Sequence, residues 1–192
     1  MSVSESDDTA GIDARKSVIF QKVGRNVVNL QRLEARFKVL QSMYLDAPLR
    51  KVSEAIEKKR GSIARRTLGL LTHEAVDSLF PEDSPQGEFA DLTTEVWVTT
   101  SLGIEGGQDL KNDMRAQLKK LVDDRNQLVH HLFGGFDPRS VESCSALESR
   151  LNEQRVHISE VFRWVDEMVS LIPEHAAEMK KRADEILNPK DS

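Results

Sequence analysis

Residues 118–134 read LKKLVDDRNQLVHHLFG, and the pattern in this stretch decides how the chain is read. Its apolar residues fall at positions 118, 121, 122, 128, 129 and 132, the i, i+3, i+4 spacing of a helix with one buried stripe. One slot on that stripe, seven after Leu118 and four before Val129, holds Arg125. At about 100° per residue, Asn126 and His130 lie roughly 100° and 140° round from it on one flank, and His131 points to the other side. A guanidinium on a packing seam is costly unless an anion meets it there. The helix therefore breaks its own pattern at a polar cluster, and such breaks belong to functional sites more than elsewhere.

The flanking sequence is helical on both sides. Upstream, Ile19, Val23, Val27, Leu30, Leu33, Phe37, Leu40 and Tyr44 make one long stripe from Lys16 to a turn at Asp46-Ala47-Pro48. Gly24 inside it suggests close approach of a neighbouring helix. Downstream, Val141, Cys144, Leu147, Leu151, Ile158, Phe162, Val165, Val169 and Ile172 form a second long stripe with near-heptad spacing. Arg155 is read as lying in its seam, beside a carboxylate. Pro173 bends or breaks that helix, and Glu174 to Leu187 continues as a charged helical tail.

Between the long helices, residues 68–80 spell a shorter helix stopped by Pro81, followed by the loop PEDSPQGE. Residues 93–102, TTEVWVTTSL, are the one stretch rich in β-branched residues with strand alternation. A lone strand is unstable, so it must pair, in a small hairpin or with a partner chain. The fold class expected is all-α: an antiparallel bundle of about four to six helices, two of them long, with one short strand or hairpin insertion near 93–102. Residues 1–13 are acidic and lack large apolar groups, which predicts a disordered tail. The bundle spans 14–172 and the charged C-terminal helix and tail 173–192.

Composition narrows the chemistry. The 192 residues carry a formal net charge of −5, so any nucleic-acid site must be a local basic patch. One candidate is RKVSEAIEKKRGSIARRT, residues 50–67, with seven basic residues against Glu54 and Glu57. It reads either as a solvated face or as a phosphate-contacting edge, with Lys58, Lys59, Arg65 and Arg66 as contacts and His131 as a further one. Gly61-Ser62 is expected to end one short helix there and cap the next. Cys144 is the only cysteine, which excludes an internal disulfide and a Cys-based zinc site and suits a reducing cytoplasm. It lies on an apolar stripe, so a buried inert thiol is expected. The five histidines form no H-E-x-x-H pattern, and no metal site or cofactor is expected. Trp97 and Trp164 read as packing residues. No apolar run approaches the roughly 20 residues that a membrane span needs, and the N-terminus has no signal-peptide h-region. The expected location is cytoplasmic.

The remaining constellation is Arg125-Asn126-Gln127-Leu128-Val129-His130. Arginine grips a phosphate in a bidentate fork and stabilises charge building on it. Histidine exchanges a proton near neutral pH. Asparagine orients without adding charge. That set suffices for RNA, whose 2′-OH is a built-in nucleophile, and leaves DNA uncut. The alternative is an Arg125 ion-paired with an Asp or Glu of its own chain.

The string DDRNQLVHHLF in a helical chain resembles the HEPN family (higher eukaryotes and prokaryotes nucleotide-binding). Its signature is an Arg, usually followed by a polar residue, with a His four to six residues later. The match falls on Arg125, Asn126 and His130, and the resemblance covers roughly residues 16–172. It implies a metal-independent endoribonuclease, of the toxin, phage-defence or stress-response kind. Dimerisation through the signature helix, here Leu118–Leu132, brings two Arg/His sets into one cleft. By the same resemblance Arg125 binds the scissile phosphate and His130 serves as acid and base for 2′-OH attack. Asn126 orients one of them. RNA is the implied substrate, and an inhibitor or antitoxin protein a further implied partner. Some relatives are inactive binding modules, so a non-catalytic helical module for RNA or a protein remains the alternative. Leu132 stands where one subgroup carries a tyrosine, so neutralisation by nucleotide transfer onto that residue is not expected.

Overall fold

The computed structural model describes residues 4–80, 97–100, 103–104, 106–132 and 134–187. Six α-helices lie among them: α1 (Ser4–Ser42), α2 (Val52–Ala64), α3 (Leu68–Leu79), α4 (Gln108–His130), α5 (Val141–Ser170) and α6 (Ile172–Leu187). A 3₁₀ turn (Leu49–Lys51) and two short strands, β1 (Leu45–Pro48) and β2 (Trp97–Thr100), complete the described elements. The architecture is the expected all-α bundle with two long helices and a small β insertion. No helix among the described residues is long and apolar enough to cross a membrane.

The stripes read from sequence become one core. Ile19, Leu30, Leu33, Phe37 and Leu40 of α1 meet Leu71, Ala75 and Val76 of α3, Met114, Leu118 and Leu121 of α4, and Leu147, Leu151, Ile158 and Val165 of α5. Side-chain pairings fix how the helices run. Between α1 and α5, Arg15 reaches Ser145, Lys22 reaches Glu148 and Asn152, Asn26 reaches Leu151 and Gln154, and Arg36 reaches Asp166. Partner numbers rise together, so the two long helices are parallel. Between α4 and α5 they run opposite ways, since Lys120 meets His157 and Asp124 meets Gln154. Gly69 beside Val122 and Asp77 bonded to Arg115 make α3 and α4 antiparallel as well. Up-and-down connectivity thus holds from α3 to α5 and leaves the first and fifth helices pointing the same way.

Several sequence expectations are corrected in detail. Helix α1 begins at Ser4, inside the stretch expected to be a disordered tail. Acidic sequence is compatible with a helix N-terminus, where the macrodipole is positive. At its other end α1 stops at Ser42, and the expected turn at Asp46-Ala47-Pro48 is strand. That strand is the partner β2 needed: Leu45 pairs with Thr100 and Pro48 with Trp97, antiparallel. Thr99 Oγ1 donates to Asp46 Oδ1 at 2.8 Å and Thr100 Oγ1 to the Met43 carbonyl at 2.7 Å. The pairing joins segments far apart in sequence, so it is neither a hairpin nor an addition to a second chain. The loop 81–88, and residues 93–96 and 101–102 of the predicted strand, lie outside the described residues. Trp97 is exposed rather than a packing residue, whereas Trp164 packs against the core as expected.

Helix α2 continues through Gly61 and Ser62 to Ala64 instead of ending there. A helical glycine costs about 1 kcal/mol relative to alanine, and burial of Ile63 holds the last turn in place. Gly24 meets no atom within 4 Å at its Cβ position, so close helix approach does not explain it. Helix α5 is capped by Ser140, whose Oγ accepts from Ser143 N at 3.1 Å and donates to Glu142 at 3.0 Å. The backbone N–H of Glu142, and then the Ser140 hydroxyl, hold that carboxyl below its usual range. Cys144 is buried, as its stripe position predicts.

Candidate functional site

Helix α4 buries Met114, Leu118, Leu121 and Leu128, with Leu132 just beyond its end. Arg125 fills the slot between Leu121 and Leu128 and is half-buried. A polar ladder sets the rotation of this part of α4. Asn26 of α1, wholly buried, donates through Nδ2 to the Leu151 carbonyl and to Gln154 Oε1, each at 2.9 Å. Gln154 Nε2 in turn donates to the Asp124 carbonyl at 2.6 Å. The Asp124 carboxylate lies 2.9 Å from Lys120 Nζ and 3.0 Å from His157 Nδ1. Three helices are thereby pinned at Asp124. One residue on, about 100° further round, Arg125 is turned onto the packing seam.

The ladder was not foreseen. Arg155, read as the polar residue of the α5 seam beside a carboxylate, is exposed, and no ion pair to it occurs among the described residues. Gln154 and His157 are the buried polar residues there. The signal was in the strict alternation of four and three, 147, 151, 154, 158, 161 and 165; 155, four after 151 and three before 158, fits locally but breaks that alternation. Asn26 likewise sits seven before Leu33 and four before Leu30. Replacing Asn26 with alanine leaves Gln154 Oε1 without its donor and is expected to cost about 1–3 kcal/mol. Thermal unfolding measures this, and an unchanged midpoint would show that the ladder does not hold the helices.

Arg125 is not ion-paired. Among the described residues no carboxylate lies within salt-bridge distance of its guanidinium, and its one hydrogen bond runs from Nη1 to Asn126 Oδ1 at 3.0 Å. The amide oxygen adds no charge and leaves the guanidinium's other N–H groups available. Asn126 is half-buried beside it. His130 is exposed in the last turn of α4. A basic residue there also complements the negative helix end, a role that needs no substrate. His131 has left the helix, with φ −126°, and its ring meets that of His130 edge-on at 6.3 Å between centroids. The two imidazoles thus converge at the helix end rather than facing opposite ways. Within one chain Arg125 and His130 stand about 7.5 Å apart along the helix axis and roughly 140° apart around it.

Of the Leu118–Leu132 helix expected to carry a dimer, Leu118, Leu121, Leu128 and Leu132 pack into the core of their own chain. What α4 leaves outside near the site is Asn126, Val129 and His130, with Val129 50% exposed.

The basic stretch 50–67 is partly committed internally. Arg66 pairs with Glu74 and donates to Ser62. Lys59 donates to the Tyr44 carbonyl and lies over the Tyr44 ring, 4.7 Å from its centroid. Burial, and then the Arg66 charge, push the Lys59 ammonium below its ordinary pKa, against an opposing pull from Glu74. Lys58 and Arg65 are exposed. Among the described residues, no group of three or more His, Cys, Asp or Glu is placed to hold a metal ion. Compared with known proteins, the chain matches no protein-family model, no curated protein and no solved structure.

Proposed function

We propose that this protein is a metal-independent endoribonuclease of the HEPN type, with Arg125, Asn126 and His130 as its working residues. The observation that supports it is the half-buried Arg125 guanidinium, seated on an apolar stripe with an asparagine amide and no carboxylate. A cation so placed is suited to an incoming anion. In the reaction Arg125 grips the scissile phosphate and stabilises its developing charge. His130 takes the proton from the 2′-OH, which attacks the adjacent phosphorus. The P–O5′ bond breaks, leaving a 2′,3′-cyclic phosphate and a 5′-oxyanion that takes back the proton held by His130 to become a 5′-OH. Asn126 holds the guanidinium in orientation.

Because Arg125 and His130 diverge around the helix, the cleft is completed by a second copy, docked on the outer flank around Val129. The expected location is the cytoplasm, and an inhibitor protein covering this flank would restrain the enzyme. The test is cleavage of RNA in EDTA by the wild type and by Arg125→Ala. Cyclic-phosphate ends from the wild type alone support the enzyme. RNA binding without cleavage moves the assignment to the second reading, a non-catalytic module using the same flank.

A further inference from the structure

Helices α1 and α5 carry a second cationic feature. Along α1, Arg25, Asn29 and Arg32 recur at i, i+4 and i+7, hence on one stripe. Along α5, Arg155, Ser159 and Arg163 recur at i, i+4 and i+8, a neighbouring stripe. The parallel packing of the two helices lays these stripes side by side. Asn29, Arg32, Ser159 and Arg163 line a hollow of about 210 Å³ floored by Ile158 and Phe162. An open, shallow depression on α5 alone, sharing Ser159 and Arg163 with the first, runs past Arg155.

The charges are arranged in a telling order. At one end of the strip Lys22 is neutralised by Glu148, at 2.5 Å, and at the other Arg36 by Asp166, at 2.9 Å. Between those pairs, among the described residues, Arg25, Arg32, Arg155 and Arg163 have no ion pair, and the one carboxylate lining the hollows is Glu160. Arg25 goes further: its Nε and Nη2 are buried with no hydrogen-bond partner. Arg25 lines neither hollow, so it adds charge beneath the strip rather than a contact with a ligand.

We propose that this α1/α5 strip binds the phosphates of a single-stranded nucleic acid. Guanidinium forks match phosphate oxygens bidentately. Asn29 and Ser159 add neutral hydrogen-bonding groups, and the apolar floor gives a base somewhere to rest. The hollow and the open α5 surface beside it let a chain pass from Arg163 to Arg155. The smaller hollow does not admit a helix, whose diameter is about 10 Å, which disfavours an acidic helical partner. The site stands independently of the ribonuclease reading.

The test uses the full chain and a fluorescent oligodeoxyribonucleotide, which has no 2′-OH to be cleaved, so that binding is read apart from catalysis. Anisotropy titrations compare the wild type with Arg32→Ala/Arg163→Ala and, separately, with Lys180→Ala/Lys181→Ala. The strip variant is expected to bind about tenfold or more weaker, with a salt dependence shallower by about two phosphate contacts. Lys180→Ala/Lys181→Ala, which removes two exposed charges of α6, binds as the wild type does. Circular dichroism confirms that the strip variant is folded, and Arg155→Ala serves in its place if it is not. No binding by the wild type, equal binding by the strip variant, or equal affinity for an oligoglutamate peptide would each overturn the proposal.

Discussion

Mixing Arg125→Ala with His130→Ala is expected to restore RNA cleavage that neither variant shows alone. Separately, loss of a general acid–base is worth about 10²–10⁴ in rate, and loss of a charge-stabilising donor about 10²–10³. If each cleft takes its arginine from one copy and its histidine from the other, a mixed pair has one damaged cleft and one intact cleft. Random exchange makes half of the pairs mixed, so recovery approaches about a quarter of the wild-type rate for a two-fold assembly. The physical reason lies in α4. Arg125 is turned onto the seam by the Asn26–Gln154–Asp124 ladder, whereas His130 lies on the exposed flank. Absence of recovery, with both variants folded and freely exchanging, would place both groups on one chain and remove the composite cleft.

The second large effect concerns stability. Leu121 is fully buried. Its replacement by alanine is expected to cost about 2–5 kcal/mol, and each kcal/mol lowers the midpoint of a domain this size by about 2–4 °C. The loss should not depend on protein concentration, because Leu121 packs within its own chain. This separates the present structure from the dimer seam that the stripe alone suggests. Were Leu121 buried only between copies, the variant would dissociate on dilution and retain a folded subunit. Sedimentation and thermal unfolding at two concentrations distinguish these outcomes.

The fold was largely legible because long helices announce themselves. Leu30, Leu33, Phe37 and Leu40 repeat at three and four, Leu147, Leu151, Ile158 and Val165 at four and seven, and each of these residues is buried. Residues 97–100 declared a strand through Trp97-Val98-Thr99-Thr100, but not its partner. Leu45–Pro48 looks like a turn because the proline and aspartate dominate a four-residue segment, and only tertiary pairing makes it a strand. The polar interior was the hardest part to read. Asn26 and Gln154 occupy core slots as plainly as Arg125 does, yet amides carry less alarm than a charge.

The candidate site divides the same way. That Arg125 breaks an apolar stripe follows from spacing, but whether an internal carboxylate meets it depends on neighbouring helices that spacing does not specify. The leucines around it illustrate the complementary limit. A hydrophobic stripe says that a surface is buried, and leaves open whether its own chain or another copy buries it. Likewise the basic run at 50–67 drew attention by local density, although Lys59 and Arg66 are engaged within the chain. The α1/α5 arginines are spread over two segments that become neighbours only on folding.

The central claim is that Arg125 is held for an incoming phosphate and not for an internal acid. Its most direct test is the melting temperature and RNA-cleavage rate of Arg125→Ala, measured on one preparation. The account predicts a midpoint close to that of the wild type, together with loss of cleavage. A midpoint lowered by the roughly 3–5 kcal/mol that breaking a buried ion pair costs, with the cleavage trace unchanged, would contradict it.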